Sequence, residues 1–326
     1  MQISQRWVLL SYSMFSLPKV SSFLARNHVI TTGNPARGEW EDSTVSDRLD
    51  GMELETLLAP GPTRVMGIVN VTTDSFADDI HRTLTQAIDF GIELASEGAD
   101  IIDIGGESTR PGAERVNEAD EIARVIPVVA ALAGSGIAVS VDTVRASVAR
   151  EALRAGAMII NDVSGGIADP DILSVVAQNR AAYVLQHWRT PFDHRSTHVH
   201  VVEEVRTELS QRLSLAIDAG IDLGRIILDP GIGFGKTPSQ NWELLASASA
   251  VSELGHPVLW GVSRKRFLAE AYDRPTEPWQ RDGATLAVTT FLAEQRVWAV
   301  RTHTVAEQRT AIAVAELVRG CQGRPD

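Results

Sequence analysis

The sequence predicts a (β/α)8 barrel at residues 61–320, preceded by an N-terminal extension at residues 1–60. From Arg64 onward, short apolar runs alternate with longer amphipathic stretches, which is the pattern of parallel βα units. Eight such runs follow one another at even spacing, and polar residues stand directly after most of them. A doubly wound open sheet also alternates in this way, but it seldom has eight evenly spaced strands, so the barrel is favoured.

Each predicted strand is rich in Val and Ile and nearly continuously apolar, as strands covered on both faces must be. The eight runs are 65–71, 100–104, 138–141, 158–161, 182–186, 225–228, 257–262 and 298–301. The segments between them have helical spacing, for example Val202, Val205, Leu209, Leu213 and Ile217. The chain of 326 residues therefore accommodates one barrel of ordinary size with an appendage.

The first 60 residues differ in kind, because aromatic, Ser and Arg residues mix there without a clean period. We expect this extension to be disordered or to result from a misassigned start codon, since Met52 begins a compact sequence that leads into the first strand. Arg6 and the apolar residues after it resemble a signal peptide, but Ser11 and Ser13 interrupt the run and no cleavage site follows. No segment reaches the roughly 18 apolar residues that a membrane span requires.

Charge and cysteine content restrict the partners and the compartment. The formal net charge of -12 argues against a nucleic-acid or membrane partner, because binding to phosphate-rich surfaces normally needs a basic face. An anionic substrate would therefore need a local basic pocket. The single cysteine, Cys321, cannot form an internal disulfide, which favours a cytoplasmic location.

Polar residues recur at the carboxyl ends of the predicted strands. They are Asn70, Asp74 and Phe76 after the first run, then Asp103, Glu107, Thr109, Arg110, Asp142, Thr143, Asn161, Asp162, His187, Asp229, Lys236, Ser263, Arg264, Lys265, Arg301 and His303. In a barrel these positions converge on one rim, where active sites of this fold lie. A single Asp or Asn there often only caps the next helix. Helix capping does not explain polar residues at seven or eight strand ends together.

The residue types on this rim indicate two kinds of ligand group. Asp142, Asn161, Asp229 and Lys265 suit a flat heterocycle with a mixed donor and acceptor edge. Three cationic donors, Arg110, Arg301 and His303, suit phosphate oxygens and provide the local basic pocket. Asn70 offers an oxygen ligand for Mg2+, which binds few protein oxygens together with phosphates. This combination suggests departure of a pyrophosphate.

Two other motifs are weaker than they look. Residues 231–237 resemble a phosphate-binding P-loop, but Pro230 stands where that motif requires its first glycine. His194, His198 and His200 have the residue type of metal ligands, but they lie in a polar stretch that reads better as a solvated loop. The sequence shows no Ser-His-Asp order or nucleophile elbow, so it offers no covalent catalyst.

Taken together, the motifs resemble those of the dihydropteroate synthase family, in order and in spacing, from residue 64 to about 318. The matching pieces are MGIVNVT at 66–72 with DSF at 74–76, GGESTRPG at 105–112, SVDT at 140–143, NDVSGG at 161–166, DPGIGFGK at 229–236, SRK at 263–265 and RTH at 301–303.

The resemblance implies that a 7,8-dihydropterin methyl pyrophosphate condenses with 4-aminobenzoate to give dihydropteroate and pyrophosphate, in a homodimeric enzyme that uses Mg2+. It implies catalytic roles for Asp142, Lys265, Arg301 and His303. The implied pterin pocket is Asp142, Asn161, Asp229 and Lys265, the implied anion site is Arg110, Arg301 and His303, and Asn70 lies near Mg2+. The implied aminobenzoate site is Phe76, Thr109, Pro111, Phe234, Lys265 and Arg266, with Arg266 at a helix start whose amide N–H groups favour a carboxylate.

Two departures from the family pattern bear on this expectation. Residues 77–80 are ADDI, where the family usually has Ser-Asp-Gly-Gly. The loop after the first predicted strand therefore lacks the backbone freedom of those glycines, and an altered aminobenzoate binding or sulfonamide response is an expected effect. Gln186 replaces a usual methionine and brings a polar amide to the pterin side. The alternative function is a catalytically weak or silent pterin-binding paralogue. A pterin-binding methyltransferase barrel is disfavoured, because Arg110, Arg301 and His303 would then lack a phosphate.

Overall fold

Eight parallel strands pair side by side around a barrel, in the order β6-β5-β4-β3-β2-β1-β8-β7. The computed structural model describes residues 51–71, 83–107, 115–189 and 200–322, and the expectations for residues 1–50 lie outside them. The strands are β1 (Arg64–Asn70), β2 (Ile101–Gly105), β3 (Val139–Asp142), β4 (Ile159–Asp162), β5 (Ala182–Gln186), β6 (Ile226–Asp229), β7 (Leu259–Trp260) and β8 (Ala299–Thr302). Each lies within or beside one of the predicted runs, so the predicted fold class is confirmed.

The barrel closes between β6 and β7, which are joined by a single parallel bridge from Leu228 to Val258. The Leu228 amide donates to the carbonyl oxygen of Pro257 at 2.8 Å, next to that bridge. β7 has only two residues, although the apolar run predicted a longer strand at 257–262. The seam between β6 and β7 is therefore the most weakly paired part of the wall.

Ten helices of the described part surround or close the strands. They are α1 (Gly51–Leu58), α2 (Leu84–Ser96), α3 (Glu118–Gly134), α4 (Ala146–Arg154), α5 (Asp171–Asn179), α6 (Val201–Asp218), α7 (Pro238–Ala246), α8 (Ala248–Ser252), α9 (Asp282–Glu294) and α10 (Val305–Gln322). Capping boxes define where α2 and α7 begin, with Thr83 and Gln86 in one and Thr237 and Gln240 in the other. In α6, Val205 and Leu209 are buried as its spacing predicts, but Ile217 is exposed.

Strand alternation divides the side chains into outward and inward rows. Outward residues such as Val65, Ile104 and Val141 belong to one large apolar core between the strands and the helices. Inward residues near the strand starts, such as Met66 and Ile159, form a separate apolar cluster inside the barrel. Because side chains alternate with a period of two, the same inward rows continue to the carboxyl ends of the strands. There they become polar.

Helix α1 covers the amino-terminal end of the barrel. Leu54 and Leu58 are buried in the inner apolar cluster with Met66 and Trp298. The Trp298 indole N–H also donates to the Leu57 carbonyl at 3.0 Å. The part of the chain that packs as the barrel therefore begins before the boundary at residue 61 that the sequence suggested. A short helix with two buried leucines lacks the long period that would have revealed it.

No helix among the described residues combines the length and apolarity needed to cross a lipid bilayer. The apolar faces of these helices are instead turned onto the strands, where the outer core lies.

The floor of the barrel generates the first prediction. We expect Leu58→Ala to lower the free energy of unfolding by about 2–4 kcal/mol, because it leaves a cavity in the inner cluster. Urea denaturation followed by circular dichroism measures this change. Glu55→Ala, on the exposed side of the same helix, is the matched control and should change stability by less than about 0.5 kcal/mol. Equal effects of the two substitutions would contradict the role of α1 as a floor.

Candidate active site

A buried polar cluster occupies the inward face at the carboxyl ends of the strands. The registers place Asp103 beside Ser140, and Asp142 beside both Gly105 and Asn161. Asp229 ends β6 and is buried, while Arg301 lies on β8. All of these residues follow inward apolar residues by two or four positions, so strand alternation alone directs them to the barrel axis. The cluster therefore brings together residues that are up to two hundred positions apart in sequence.

Arg301 is the centre of this cluster. Its Nε donates to Asp103 Oδ2 at 2.6 Å, and its Nη2 donates to Asp142 Oδ2 at 2.9 Å. The Asn161 amide also donates to Asp103 Oδ2, at 3.1 Å. One guanidinium is thus shared between two carboxylates. The two bonds use two of its five N–H groups, so the guanidinium keeps capacity for a further anion.

The shared cation does not fully compensate the two acids. Burial raises the pKa of Asp142 to about 7; Arg301 lowers it, and the nearby Asp103 carboxylate raises it further. Burial likewise raises the pKa of Asp229, with Lys265 acting in the opposite direction. In the absence of a ligand, the pocket therefore favours keeping a proton on Asp142 near neutral pH.

Several acceptor atoms in the cluster are buried without a hydrogen-bond partner in the described part of the chain. They are Asp103 Oδ1, Asp142 Oδ1, Asn161 Oδ1 and the Ser140 hydroxyl. Such atoms are costly to bury unless something donates to them. A planar ligand that carries several N–H groups would satisfy the Asp142 and Asn161 oxygens. The site is therefore prepared for a donor-rich ring edge.

Lys265 lies between the loop that follows β6, here called the β6 loop, and the buried acids. Its Nζ donates to the carbonyl oxygen of Ile232 and lies 4.5 Å from the centre of the Phe234 ring. Burial lowers the pKa of Lys265 to about 8, and the nearby Asp229 partly opposes this effect. A side chain at Gly233 would lie 2.9 Å from the Lys265 Cδ, so glycine there leaves room for the lysine stem.

The β6 loop depends on a network behind it. Gly231 has a φ of +66°, and a Cβ there would lie 1.9 Å from the His187 carbonyl oxygen, so only glycine fits. Lys236 Nζ donates to the Gly231 carbonyl at 2.9 Å and to the Phe234 carbonyl at 3.2 Å. The lysine of the P-loop-like stretch thus ties its own loop together. This use of the lysine differs from that of a P-loop lysine, which binds phosphate.

His187 completes this support. Lys236 Nζ donates to His187 Nδ1 at 2.9 Å, which leaves the ring proton on Nε2 for Glu208 Oε2 at 3.0 Å. Burial and the adjacent Lys236 lower the pKa of His187 to about 3, so its ring is neutral. His187 and Lys236 were predicted only as rim residues without a role. Nothing in the sequence links them to Glu208, which lies on α6.

The β7 loop holds His303 through Ser263. The Ser263 hydroxyl accepts from the His303 backbone N–H at 3.2 Å and lies 2.9 Å from His303 Nδ1. The same hydroxyl oxygen accepts from the Thr302 hydroxyl at 3.5 Å. Ser263 therefore holds both the backbone and the ring of His303 on the same rim as Arg301.

Asn70 ends β1 on this rim. A Cβ at Gly105 would lie 3.7 Å from both the Asn70 Oδ1 and the Asp142 Cβ, so the amide oxygen lies beside the acid cluster. One amide oxygen next to an anion site fits Mg2+, which takes oxygen ligands and retains waters and phosphates. No three His, Cys, Asp or Glu side chains form a metal-binding group within the described ranges. His194 and His198 fall outside those ranges.

The remaining predicted residues are partly outside the described part of the chain. Phe76, Thr109, Arg110 and Pro111 lie outside the described residues. Arg266 is exposed and begins a 3-10 helix of only six residues, so the expected helix-dipole contribution at this position is not supported. Gln186 is buried, and its Nε2 donates to the Val163 carbonyl at 3.3 Å. The polar amide is therefore anchored to the barrel wall.

Asp103 is the residue whose importance the sequence reasoning missed. It was noted as a polar strand end, but its contacts with Arg301 and Asn161 place it in the centre of the cluster. The available signal was its alternation with Ile101, because both residues face the barrel interior.

Comparison with known proteins agrees with this geometry. The family model for pterin binding enzymes matches residues 66–303. The dihydropteroate synthase of Mycobacterium leprae (strain TN) is 43% identical over 264 residues, which cover 78% of this chain and 92% of that protein.

Two solved structures are similar over most of their length. Xanthomonas albilineans dihydropteroate synthase with 4-aminobenzoic acid has a TM-score of 0.74 and 44% identity, and the match covers 81% of this chain and 94% of that chain. Yersinia pestis dihydropteroate synthase in a sulfonamide drug complex has a TM-score of 0.75 and 36% identity, with coverage of 79% and 95%. Both identities are high enough for the likeness to extend beyond the fold.

The raised pKa of Asp142 generates the second prediction. Burial raises the pKa of Asp142 to about 7 in the folded protein, whereas in the unfolded chain the pKa returns to the ordinary value of 3.8. A rise in pH through this window therefore favours the unfolded state. Between pH 5 and pH 8, we expect the ligand-free wild type to lose about 2–3 kcal/mol more stability than Asp142→Asn. Urea unfolding at both pH values tests this, and parallel changes in the two proteins would refute it.

Proposed function

Because this chain belongs to the dihydropteroate synthase family, we propose that it condenses 6-hydroxymethyl-7,8-dihydropterin pyrophosphate with 4-aminobenzoate, giving 7,8-dihydropteroate and pyrophosphate in folate biosynthesis. The single observation that carries this proposal is the set of unpartnered, buried acceptor oxygens on Asp142 and Asn161 next to Arg301. An amino-pyrimidinone edge supplies N–H donors for these oxygens, and a pyrophosphate supplies an anion for the guanidinium.

In this proposal the pterin ring lies in the inner pocket. Asp142, Asn161 and Asp229 accept hydrogen bonds from its N–H groups, and Lys265 donates to a ring acceptor. As pyrophosphate leaves, positive charge spreads from the methylene carbon into the ring. The buried carboxylates of Asp142 and Asp229 stabilise this charge, because their field is little screened at such depth. Binding also shifts Asp142 towards its ionised form, since the ring donors stabilise the carboxylate.

Arg301 and His303 bind the leaving pyrophosphate. The bond between the methylene carbon and the pyrophosphate oxygen breaks, and the negative charge that develops on that oxygen is stabilised by the guanidinium and the His303 ring. The lone pair of the aryl amine forms the new carbon–nitrogen bond, and the nitrogen then loses a proton to solvent water. No side chain forms a covalent intermediate in this scheme. The residues act mainly by positioning and by neutralising charge.

We propose Mg2+ as the cofactor. Asn70 would bind it through its amide oxygen, with pyrophosphate oxygens and water as the other ligands. Its chemistry would be to neutralise charge on the departing pyrophosphate.

The aminobenzoate half of the site is proposed around Phe234 and Lys265. The Lys265 ammonium over the Phe234 ring forms a cationic and aromatic wall for a small aryl carboxylate. The Yersinia pestis relative binds a sulfonamide drug, so we propose that this chain is also a sulfonamide target. Phe76, Thr109, Arg110, Pro111 and Arg266 stay predictions for the substrate site.

The test of function is turnover by the purified full-length chain. With the pterin pyrophosphate, 4-aminobenzoate and Mg2+, we expect release of one pyrophosphate for each dihydropteroate formed. Lys265→Ala should lower kcat/KM by about 100-fold, because it removes a cation from the reacting centre. Asp142→Ala should abolish measurable pterin binding in calorimetry and leave the protein folded. Normal kinetics in the first variant, or unchanged pterin affinity in the second, would contradict these assignments.

Two controls accompany this assay. Asn70→Ala should raise the Mg2+ concentration needed for half-maximal turnover without changing pterin affinity in the absence of the metal. Glu55→Ala, on the barrel floor, should retain the kinetic constants of the wild type. Tight pterin binding by a wild type that shows no turnover would instead identify the silent pterin-binding paralogue.

We further propose a cytoplasmic homodimer. Cys321 is the only cysteine of the sequence, as suits a reducing compartment. Four large apolar residues are exposed on the adjacent helices α9 and α10, namely Phe291, Val314, Leu317 and Val318. The last three are spaced at i, i+3 and i+4 and so share one helix face. We propose that a second copy of this chain covers the patch.

Leu317, the most exposed of the four at 72%, provides the test of the dimer. We expect the wild type to have the mass of a dimer in light scattering, and Leu317→Glu to have the mass of a monomer at micromolar concentration. A charge in an apolar interface is costly because burial desolvates it. Leu215→Glu, at a leucine of α6 that is 61% exposed, is the matched control and should stay dimeric. A monomeric wild type would reject the proposal.

A further inference from the structure

The loop after β7 contains a backbone conformation that its sequence does not favour. Arg264 has a φ of +60°, in the left-handed region that non-glycine residues seldom adopt. It is the third residue of a turn that the Lys265 amide closes by donating to the Val262 carbonyl at 3.2 Å. When the third residue of a turn needs a positive φ, glycine is the usual residue there. Strain of this kind persists only where surrounding groups enforce it.

The start of α9 supplies those groups. Asp282 accepts from both Nε and Nη2 of Arg264, at 2.8 and 2.9 Å, which is a two-bond carboxylate–guanidinium pair. Arg281 donates through Nη1 to the Arg264 carbonyl at 3.0 Å, and the Thr285 hydroxyl accepts from the Arg264 amide at 3.2 Å. The side chain, the carbonyl and the amide of Arg264 are therefore each bound by a different residue of one helical turn.

Arg281 and Thr285 are themselves fixed. Arg281 is buried, its Nε donates to the Thr276 hydroxyl at 2.9 Å, and its Nη2 donates to the Thr276 carbonyl. Thr285 is buried too, and its hydroxyl donates to the Arg281 carbonyl at 3.0 Å. The residues that bind Arg264 are thus anchored in the body of the barrel, and they do not depend on an exposed ion pair alone.

The two neighbours of Arg264 both belong to the site. Ser263 orients His303 through the 2.9 Å contact with Nδ1, and Lys265 lies between Asp229 and the Ile232 carbonyl. A change of φ at residue 264 rotates the chain on either side of it. Relaxation of this one residue would therefore displace the anion donor and the pterin-side lysine together.

We propose that Arg281, Asp282 and Thr285 form a clamp that holds Arg264 in the left-handed conformation, and that these three are positioning residues for His303 and Lys265 in the transfer reaction. This inference rests on the proposed function, because it assigns the clamp to that site. The clamp acts only through the backbone at residue 264, and none of its members touches a substrate.

The test compares Arg264→Gly with Arg264→Ala, two variants that lose the same ion pair and differ by one methyl group. Glycine adopts a positive φ without strain, whereas alanine is penalised there. We expect kcat/KM of the alanine variant to be about 10-fold below that of the glycine variant. The alanine variant should also unfold at a lower urea concentration. Equal kinetics and equal stability of the two variants would overturn the proposal.

Asp282→Ala provides a second route that leaves Arg264 in place. On its own it should lower kcat/KM by about 10-fold, because the left-handed conformation loses its main support. Combined with Arg264→Gly, it should cause no further loss beyond that of the glycine variant, and the double variant should be more active than Asp282→Ala alone. A merely structural role for Asp282 would make the double variant worse than either single variant, which would reject the clamp.

The two proposals fail in different ways. If the wild type makes no dihydropteroate, the proposed function fails, and pterin affinity measured by calorimetry replaces turnover as the readout for the same variants. If the wild type turns over but glycine and alanine at residue 264 are equivalent, the clamp fails and the function stands. If Asp282→Ala retains wild-type kinetics, the clamp fails as well.

Discussion

The ion pair that one guanidinium makes with two buried carboxylates governs the organisation of the site. Arg301, on β8, reaches past the neighbouring strand β1 to bind Asp103 on β2 and Asp142 on β3. Removing one partner from such a cluster leaves an uncompensated buried charge, which typically costs about 3–5 kcal/mol. The three strands therefore cannot slip relative to one another without a large penalty. The polar end of the barrel is fixed before any ligand arrives, and its unpartnered acceptor oxygens favour a ligand with several N–H donors.

The strands, the enclosing helices and the rim that carries the site were predictable, because all three depend on the periodicity of the sequence. Val and Ile runs locate the strands, and alternation by two locates the inward residues at their ends. The central place of Asp103 was not predictable. It depends on the register of the three neighbouring strands β8, β1 and β2, and β8 and β2 lie far apart in sequence. The same holds for His187 and Glu208, whose contact joins a strand end to the surface of α6. Helix α1 was not predicted, because two leucines are too few to show a helical period.

The polar residues behind the rim have a different task from those that face the ligand. Lys236 and His187 hold the β6 loop, while Arg281 and Asp282 hold the β7 loop. Both loops contain positive φ angles that their own sequences only partly supply through glycine, as Gly231 and Arg264 show. Helices α6 and α9 thus help to fix the backbone geometry of these two loops. The position of Lys265 therefore depends on residues outside the pocket lining as well as on those within it.

The contact between α1 and Trp298 has a consequence for how the chain is made. The indole N–H of Trp298 binds the Leu57 carbonyl, so a helix that precedes every strand and a residue directly before β8 enter the same inner cluster. The ribosome therefore synthesises the floor helix before all eight strands, and β8, which secures it, after the other seven. During most of synthesis Leu54 and Leu58 have no complete cavity to enter, and the nascent barrel has an open edge beside β1. Long-range closure of this kind is slow and leaves apolar surface exposed to other chains, so this protein depends most on protection from aggregation until β8 has been synthesised and has paired with β1.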